Sequence, residues 1–66
     1  MDSDFSFLGE RIKREREKKK ITQEKLAEMI DCSIAHISHV ETGRTVPSLK
    51  LVIKIINSLQ ISSDLL

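Results

Sequence analysis

The sequence predicts an all-α protein, a compact bundle of about five short helices. Apolar residues recur three or four positions apart in successive segments, the spacing that places side chains on one face of a helix. Residues that cap helices stand between these segments. The chain has 66 residues, enough for one small core but too few for two lobes around a substrate cleft. We therefore expect residues 1–66 to form a single domain.

The composition is that of a globular protein and excludes several classes. Charged residues make up 32% of the chain and apolar residues 39%. No apolar run approaches the roughly 18 residues that a membrane-spanning helix needs, and the acidic start MDSD lacks the positive region of a secretory signal. The single cysteine, Cys32, has no disulfide partner within its own chain. We expect a cytoplasmic protein that does not associate with membranes.

The first helix is expected near the N-terminus. Phe5, Leu8 and Ile12 lie at positions i, i+3 and i+7, which places them on one face. The helix should begin near Ser6 and end around Lys18 or Lys19, where positive charge suits the negative end of the helix dipole.

A basic run covers the second half of this helix. From Arg11 to Lys20, seven Lys or Arg residues stand against two Glu, although the net charge of the chain is only +1. Such a run fits a solvent-exposed helix face with i,i+4 pairs, for example Glu15 with Lys19. It also fits a surface that contacts phosphate groups, and the residues alone leave both interpretations open.

The stretch from Thr22 to Gly43 predicts two helices joined by a sharp corner. Their shared apolar positions are Leu26, Ala27, Ile30, Ile37 and Val40. Thr22 can cap the first helix, Ser33 can cap the second by accepting a bond from the N–H of Ala35 or His36, and Gly43 can end it. Because only two residues, Asp31 and Cys32, separate the helices, they must cross steeply as a helix-turn-helix.

A further helix is expected from Leu49 to Leu59, after the start signal Pro47-Ser48. It has more apolar positions than one core-facing stripe needs. The positions assigned to the core are Leu49, Val52, Ile55, Ile56 and Leu59. Leu51 and Ile53 are left without an expected partner in the chain.

The last six residues, ISSDLL, predict a final helical turn capped by Ser62 or Ser63. This turn is the fifth expected helix. Its two terminal leucines indicate a surface that either a partner or a continuation of the chain covers.

Taken in order, these segments resemble the Cro/CI-type, or XRE-like, family of helix-turn-helix DNA-binding proteins. The matching segments are RIKREREKKK, ITQEKLAEMI, ISHVETG, PSLKLVIKIINSL and ISSDLL, covering about Leu8 to Leu66. The resemblance implies a lambda-repressor-like bundle and a sequence-specific regulator of transcription, a repressor, that binds double-stranded DNA as a homodimer on a palindromic operator. Asp31 departs from the family, which usually has glycine there, although Asp tolerates left-handed geometry better than most residues.

The resemblance also implies roles for individual residues. The recognition helix, about 34–42, would contact bases through Ile34, Ala35 and His39, the first two through thymine methyl groups. Phosphate contacts would come from Gln23, His36, Ser38, Arg44 and Lys20. An ion pair between Arg16 and Glu41 would tie the first helix to the recognition helix. The apolar residues left for a dimer interface are Leu51, Ile53, Ile61, Leu65 and Leu66. Ile34 has an alternative assignment as a core residue beside Ile37.

We also considered two functions other than DNA binding for this fold class. One is a protein-interaction module, such as an antitoxin or an anti-repressor partner, that uses the apolar fourth helix. An enzyme is poorly supported because no catalytic constellation is present. Cys32, His36 and His39 offer three metal ligands, whereas structural zinc needs four. We expect no metal, no cofactor and no small-molecule ligand, with double-stranded DNA and a second copy as partners.

Overall fold

Four α-helices build the part of the protein that the structure, a computed structural model, describes, residues 6–60. They are α1 (Ser6–Lys18), α2 (Gln23–Met29), α3 (Ile34–Glu41) and α4 (Leu49–Leu59). No strand occurs in these residues, so the prediction of an all-α fold is confirmed. The fifth helix expected in ISSDLL lies outside the described residues. None of the four helices is long and apolar enough to cross a membrane.

Hydroxyl side chains begin three of the helices, as the sequence predicts. Thr22 accepts a hydrogen bond of 3.0 Å from the N–H of Lys25 at the start of α2. At the start of α3, Ser33 accepts one of 3.1 Å from the N–H of His36. At the start of α4, Ser48 accepts one of 3.1 Å from the N–H of Leu51. Each cap satisfies an N–H group that the helix itself leaves unpaired. These interactions are local, and they set where α2, α3 and α4 begin.

The first three helices end with the same hydrogen-bond pattern. A residue with positive φ follows each of them, and these residues are Lys20 (59°), Asp31 (58°) and Gly43 (78°). At the end of α2, the N–H of Asp31 donates to Glu28 at 3.3 Å and the next N–H, that of Cys32, donates to Ala27 at 2.9 Å. Equivalent pairs of bonds occur at the other two ends, which makes all three Schellman motifs.

The hydrophobic core lies where all four helices meet. Its buried residues are Ile12, Leu26, Ala27, Ile30, Ile37, Val40, Ile55 and Leu59. The helix-turn-helix positions assigned to the core from sequence are all among them. Ile21 and Cys32, the last residues of two of these Schellman motifs, pack against this cluster, so the helix ends also contribute to the core.

The assignment of Leu49 to the core is wrong. Leu49 is 66% exposed, whereas Leu51, for which no partner was expected, is half-buried and packs against the core. The reason is the direction in which α4 packs, mainly against α1 and α2. Leu49, the first residue of the helix, is not among the residues that pack on the core. Val52, Ile55, Ile56 and Leu59 are buried as expected.

Candidate DNA-binding interface

α3 has one buried side and one free side. Ile37 and Val40 are each 1% exposed and hold the helix against the core. Ile34 is 47% exposed, so its alternative assignment as a core residue is wrong. Ala35 and His39 are also exposed. The structure therefore leaves the three residues expected to contact bases accessible on the helix that the sequence predicts for this task.

The centre of the free side is a stripe of four residues. Ala35, Ser38, His39 and Thr42 follow each other at helical spacing, with Ser38 half-buried and the others exposed. The Thr42 hydroxyl donates to the backbone carbonyl of Ser38 at 2.9 Å, and Thr42 caps the helix. Sequence reasoning gave Thr42 no role, although its position seven residues after Ala35 is the signal that places it on this side.

Cations stand at both ends of the helix-turn-helix. Lys20 is exposed and immediately precedes the segment that opens α2. Arg44 is exposed and follows Gly43, and its backbone N–H donates to the carbonyl of His39 at 2.9 Å, which holds it beside the last turn of α3. His36 is half-buried on α3. Both cations are thus accessible to an anionic partner.

A buried ion pair connects α1 to the end of α3. The Arg16 Nε donates to Glu41 Oε2 at 2.7 Å and Nη2 donates to Oε1 at 3.1 Å, while Nη1 donates to the carbonyl of Ile21 at 2.7 Å. Arg16 is 7% exposed and Glu41 is 3% exposed. Such a two-pronged pair fixes orientation as well as distance.

Gln23 joins this pair, which the sequence did not indicate. Its Nε2 donates to Glu41 Oε1 at 3.0 Å, and the side chain is half-buried at the start of α2. The residue expected to contact a phosphate is therefore also bonded to a buried carboxylate. Helical spacing cannot link positions 23 and 41, because they belong to different helices.

The basic run of α1 is partly paired within the protein. Glu15 accepts from Arg11 Nε at 3.1 Å and from Lys18 Nζ at 3.4 Å, rather than from Lys19 as expected. Loss of hydration raises the pKa of Glu15, but the hydrogen bond from Arg11 and the charge of Lys18 outweigh it and hold the pKa below its usual value. Residues 11–20 therefore combine these ion pairs with further exposed cations such as Lys13 and Arg14.

Cys32, His36 and His39 do not form a metal site. Cys32 packs against the core, whereas His39 is exposed on the free side of α3. Burial and the neighbouring Asp31 carboxylate raise the pKa of the Cys32 thiol, against the smaller opposing effect of Lys54, and a protonated thiol is a poor ligand. Within residues 6–60, no three His, Cys, Asp or Glu side chains converge as metal ligands.

The expected dimer residues are distributed unevenly. Leu51 packs on its own core, and Ile53 is 44% exposed. Ile61, Leu65 and Leu66 lie outside the described residues. Two further apolar residues near Ile53 in the sequence, Val46 and Leu49, are 60% and 66% exposed. The start of α4 therefore presents apolar side chains at the surface.

The structure has a capped corner between two helices, and the second of these helices is buried on one side and free on the other. This arrangement defines a helix-turn-helix DNA-binding domain. A model of the helix-turn-helix family matches residues 12–66. The chain belongs to this family, in its XRE-like branch, whose members are DNA-binding transcriptional regulators rather than enzymes.

Two solved structures are similar over nearly the whole chain. The clp gene regulator ClgR from C. glutamicum has a TM-score of 0.89 and 27% identity, covering 98% of this chain and 86% of that one. The restriction-modification controller protein C.AhdI from Aeromonas hydrophila has a TM-score of 0.88 and 26% identity, covering 97% of both chains. No curated protein matches the sequence.

Proposed function

We propose that this protein is a sequence-specific repressor of transcription that binds a palindromic operator as a homodimer and acts in the cytoplasm. The observation that carries the proposal is the division of α3, with Ile37 and Val40 buried and the opposite side free. A helix held this way can enter the major groove without losing contact with its core. The two similar structures support regulation, since one is named a gene regulator and the other a controller protein.

The free side of α3 supplies the base contacts in this proposal. Ile34 and Ala35 lack hydrogen-bonding side chains, so they would contact thymine methyl groups. His39 carries ring nitrogens and would bond a base edge. Because few groups are available for hydrogen bonds, we expect the operator to contain A·T pairs opposite the N-terminal half of α3.

Phosphate contacts would hold the domain in register on the duplex. We assign them to residues near the start of α2 and just after α3, and to two half-buried residues of α3. They are Lys20, Gln23, His36, Ser38 and Arg44. The surrounding basic run would add a long-range attraction that depends on salt.

A second copy of the protein is required because one helix reads too little DNA sequence. A single recognition helix contacts only a few base pairs, so proteins of this kind place two half-sites about 10 base pairs apart. The pairing surface would be two-fold and self-complementary. Its members would be Ile53, which is exposed, and Ile61, Leu65 and Leu66, which lie outside the described residues. Leu51 would support it from the core.

Selection of bound duplexes from a random pool tests the proposal. We expect an enriched palindrome, tighter binding to it than to scrambled duplexes, and an affinity that decreases with salt. Recovery of no common sequence, or equal affinity for palindrome and scrambled duplex, would contradict sequence-specific binding.

A protein-interaction module remains the second candidate, and one observation favours it. Val46, Leu49 and Ile53 expose apolar side chains around the start of α4, where a different protein could bind. Tight association with a different protein, in the absence of any duplex binding, would favour this function over the first.

A further inference from the structure

Glu41 is a carboxylate buried where three helices meet. Its Oε2 accepts the Nε–H of Arg16, and its Oε1 accepts both an Nη2–H of Arg16 and an Nε2–H of Gln23. Gln23 is the first residue of α2 and is half-buried. Its side chain therefore lies between the buried carboxylate and the protein surface at the start of α2.

The chemistry of this contact fixes which end of the Gln23 amide faces inward. Both Glu41 oxygens act as acceptors, because the guanidinium of Arg16 donates to each of them. An acceptor cannot bond the oxygen of the amide, so the nitrogen must face Glu41. That nitrogen carries two hydrogens, and the contact with Glu41 uses one of them. The second hydrogen remains for another acceptor.

We propose that Glu41 is a positioning residue for DNA binding, which holds the Gln23 amide so that its second N–H meets a backbone phosphate. This inference rests on the proposed function and gives the Arg16–Glu41 pair a role beyond joining α1 to α3. A free glutamine side chain loses rotamer entropy when it binds a phosphate. Gln23 loses that freedom on folding, so less affinity is lost on binding.

A double-mutant cycle measures the coupling. Gln23→Met keeps the length of the side chain and removes the amide. For the operator selected from the random pool, we expect it to weaken binding by about tenfold in the otherwise natural protein. The reference background is Arg16→Met with Glu41→Leu, because apolar side chains often replace a buried ion pair without loss of stability. There, Gln23→Met should weaken binding by no more than about twofold.

The outcomes separate this inference from the proposed function. Equal losses in the two backgrounds would show that Gln23 acts without Glu41, which overturns the inference while DNA binding stands. If the natural protein binds no selected duplex, the proposed function itself fails. A role of Glu41 confined to stability would lower the unfolding temperature of the reference background and leave the cost of Gln23→Met unchanged.

The side-chain amide of Gln23 gives a second readout that needs no altered background. Its two N–H resonances can be assigned by their absence in Gln23→Met. As the operator is added to the natural protein, we expect the outward N–H to shift strongly while the N–H bonded to Glu41 shifts little. Equal shifts of both resonances, or none in either during tight binding, would overturn the inference even if the Arg16→Met/Glu41→Leu background does not fold.

Discussion

Gly9 of α1 faces the backbone carbonyl oxygen of Val40 in α3, and no side chain fits between them. A Cβ atom at Gly9 would overlap this oxygen and would lie 3.0 Å from the carbonyl oxygen of Glu41. The contact is backbone against helix backbone, so neither side can move without shifting a helix. The distance between α1 and α3 is therefore set by a missing side chain.

Gly9→Ala should destabilise the fold although alanine is the better helix former. The higher helical preference of alanine would add about 1 kcal/mol to the free energy of unfolding. Relieving the overlap requires α1 and α3 to separate, so the net change is a decrease of roughly 1–3 kcal/mol in that free energy. Unfolding in urea would measure the change. Glu10→Ala, at an exposed position of the same helix, is the control and should change stability little. A Gly9→Ala protein as stable as the natural one would contradict the close approach.

Lys20→Gly should raise stability and lower DNA affinity together. Lys20 has φ of 59°, a left-handed conformation that costs a residue with a side chain roughly 1–2 kcal/mol. Glycine removes this strain at some entropic cost, for a net gain of about 0.5–1 kcal/mol. If Lys20 contacts a phosphate, the salt slope of binding should decrease by about one unit.

Lys20→Ala is the matched control, because it removes the charge and keeps the strain. It should weaken binding as much as Lys20→Gly does, without the gain in stability. Unchanged affinity and salt slope in both variants would remove Lys20 from the interface.

His39→Ala and Arg44→Ala should weaken binding in different ways. The loss of a base contact at His39 should cost roughly 1–3 kcal/mol on the operator and little on scrambled duplexes. The loss of a phosphate contact at Arg44 should weaken both duplexes alike and reduce the salt slope by about one unit. Titrations of each variant with both duplexes at several salt concentrations would separate the two roles. Parallel losses in His39→Ala would make His39 a phosphate contact.

Glu15→Gln should reduce the loss of folding stability at acidic pH. The pKa of Glu15 lies below its ordinary value of 4.5 in the folded state, so the unfolded chain binds the proton more readily. The charged carboxylate therefore stabilises the fold above that value, and the contribution is lost as pH falls through the folded pKa. Thermal unfolding between about pH 7 and pH 3 would show a smaller decrease for Glu15→Gln. Glu10→Gln, an equal charge change on the same helix, should follow the natural profile.

Ile53→Lys should give a folded monomer if α4 pairs two copies. Ile53 is exposed, so the charge is tolerated in one chain but repels its equivalent across a two-fold axis. Replacing Leu65 and Leu66 with Asp should have the same effect. Leu51→Lys should instead unfold the domain, because Leu51 packs on the core. Sedimentation at high micromolar concentration decides the question: a natural protein that is monomeric both free and on DNA would rule out this interface.

Sequence reasoning succeeded where the determining groups are neighbours in the chain. Thr22, Ser33 and Gly43 act on backbone groups within five residues, so the helix boundaries follow from local chemistry. Ile37 and Val40 could be assigned to the core by the spacing on one helix. Both kinds of prediction are confirmed by the structure.

It failed where a residue far away in the chain decides the outcome. Whether Leu49 or Leu51 packs against the core depends on the direction from which α1 and α2 approach α4, which α4 alone does not encode. Gly9 matters only because Val40 lies opposite, and Gln23 meets Glu41 only after three helices assemble. The candidate site was predicted as a set of exposed residues with the Arg16–Glu41 ion pair beneath them, and the structure shows this pair. The hydrogen bond from Gln23 to Glu41 was not predicted.

The ends of α3 have a consequence for evolution and for engineering. Ser33 and Gly43 fix where α3 begins and ends, and Ile37, Val40 and Glu41 hold it against the rest of the protein. None of these five residues belongs to the stripe of four on the free side. Ala35 and His39 can therefore be randomised together while the helix keeps its length and place. A library at these positions should consist mostly of folded proteins, so a lineage can acquire a new binding preference by a few substitutions without first acquiring extra stability.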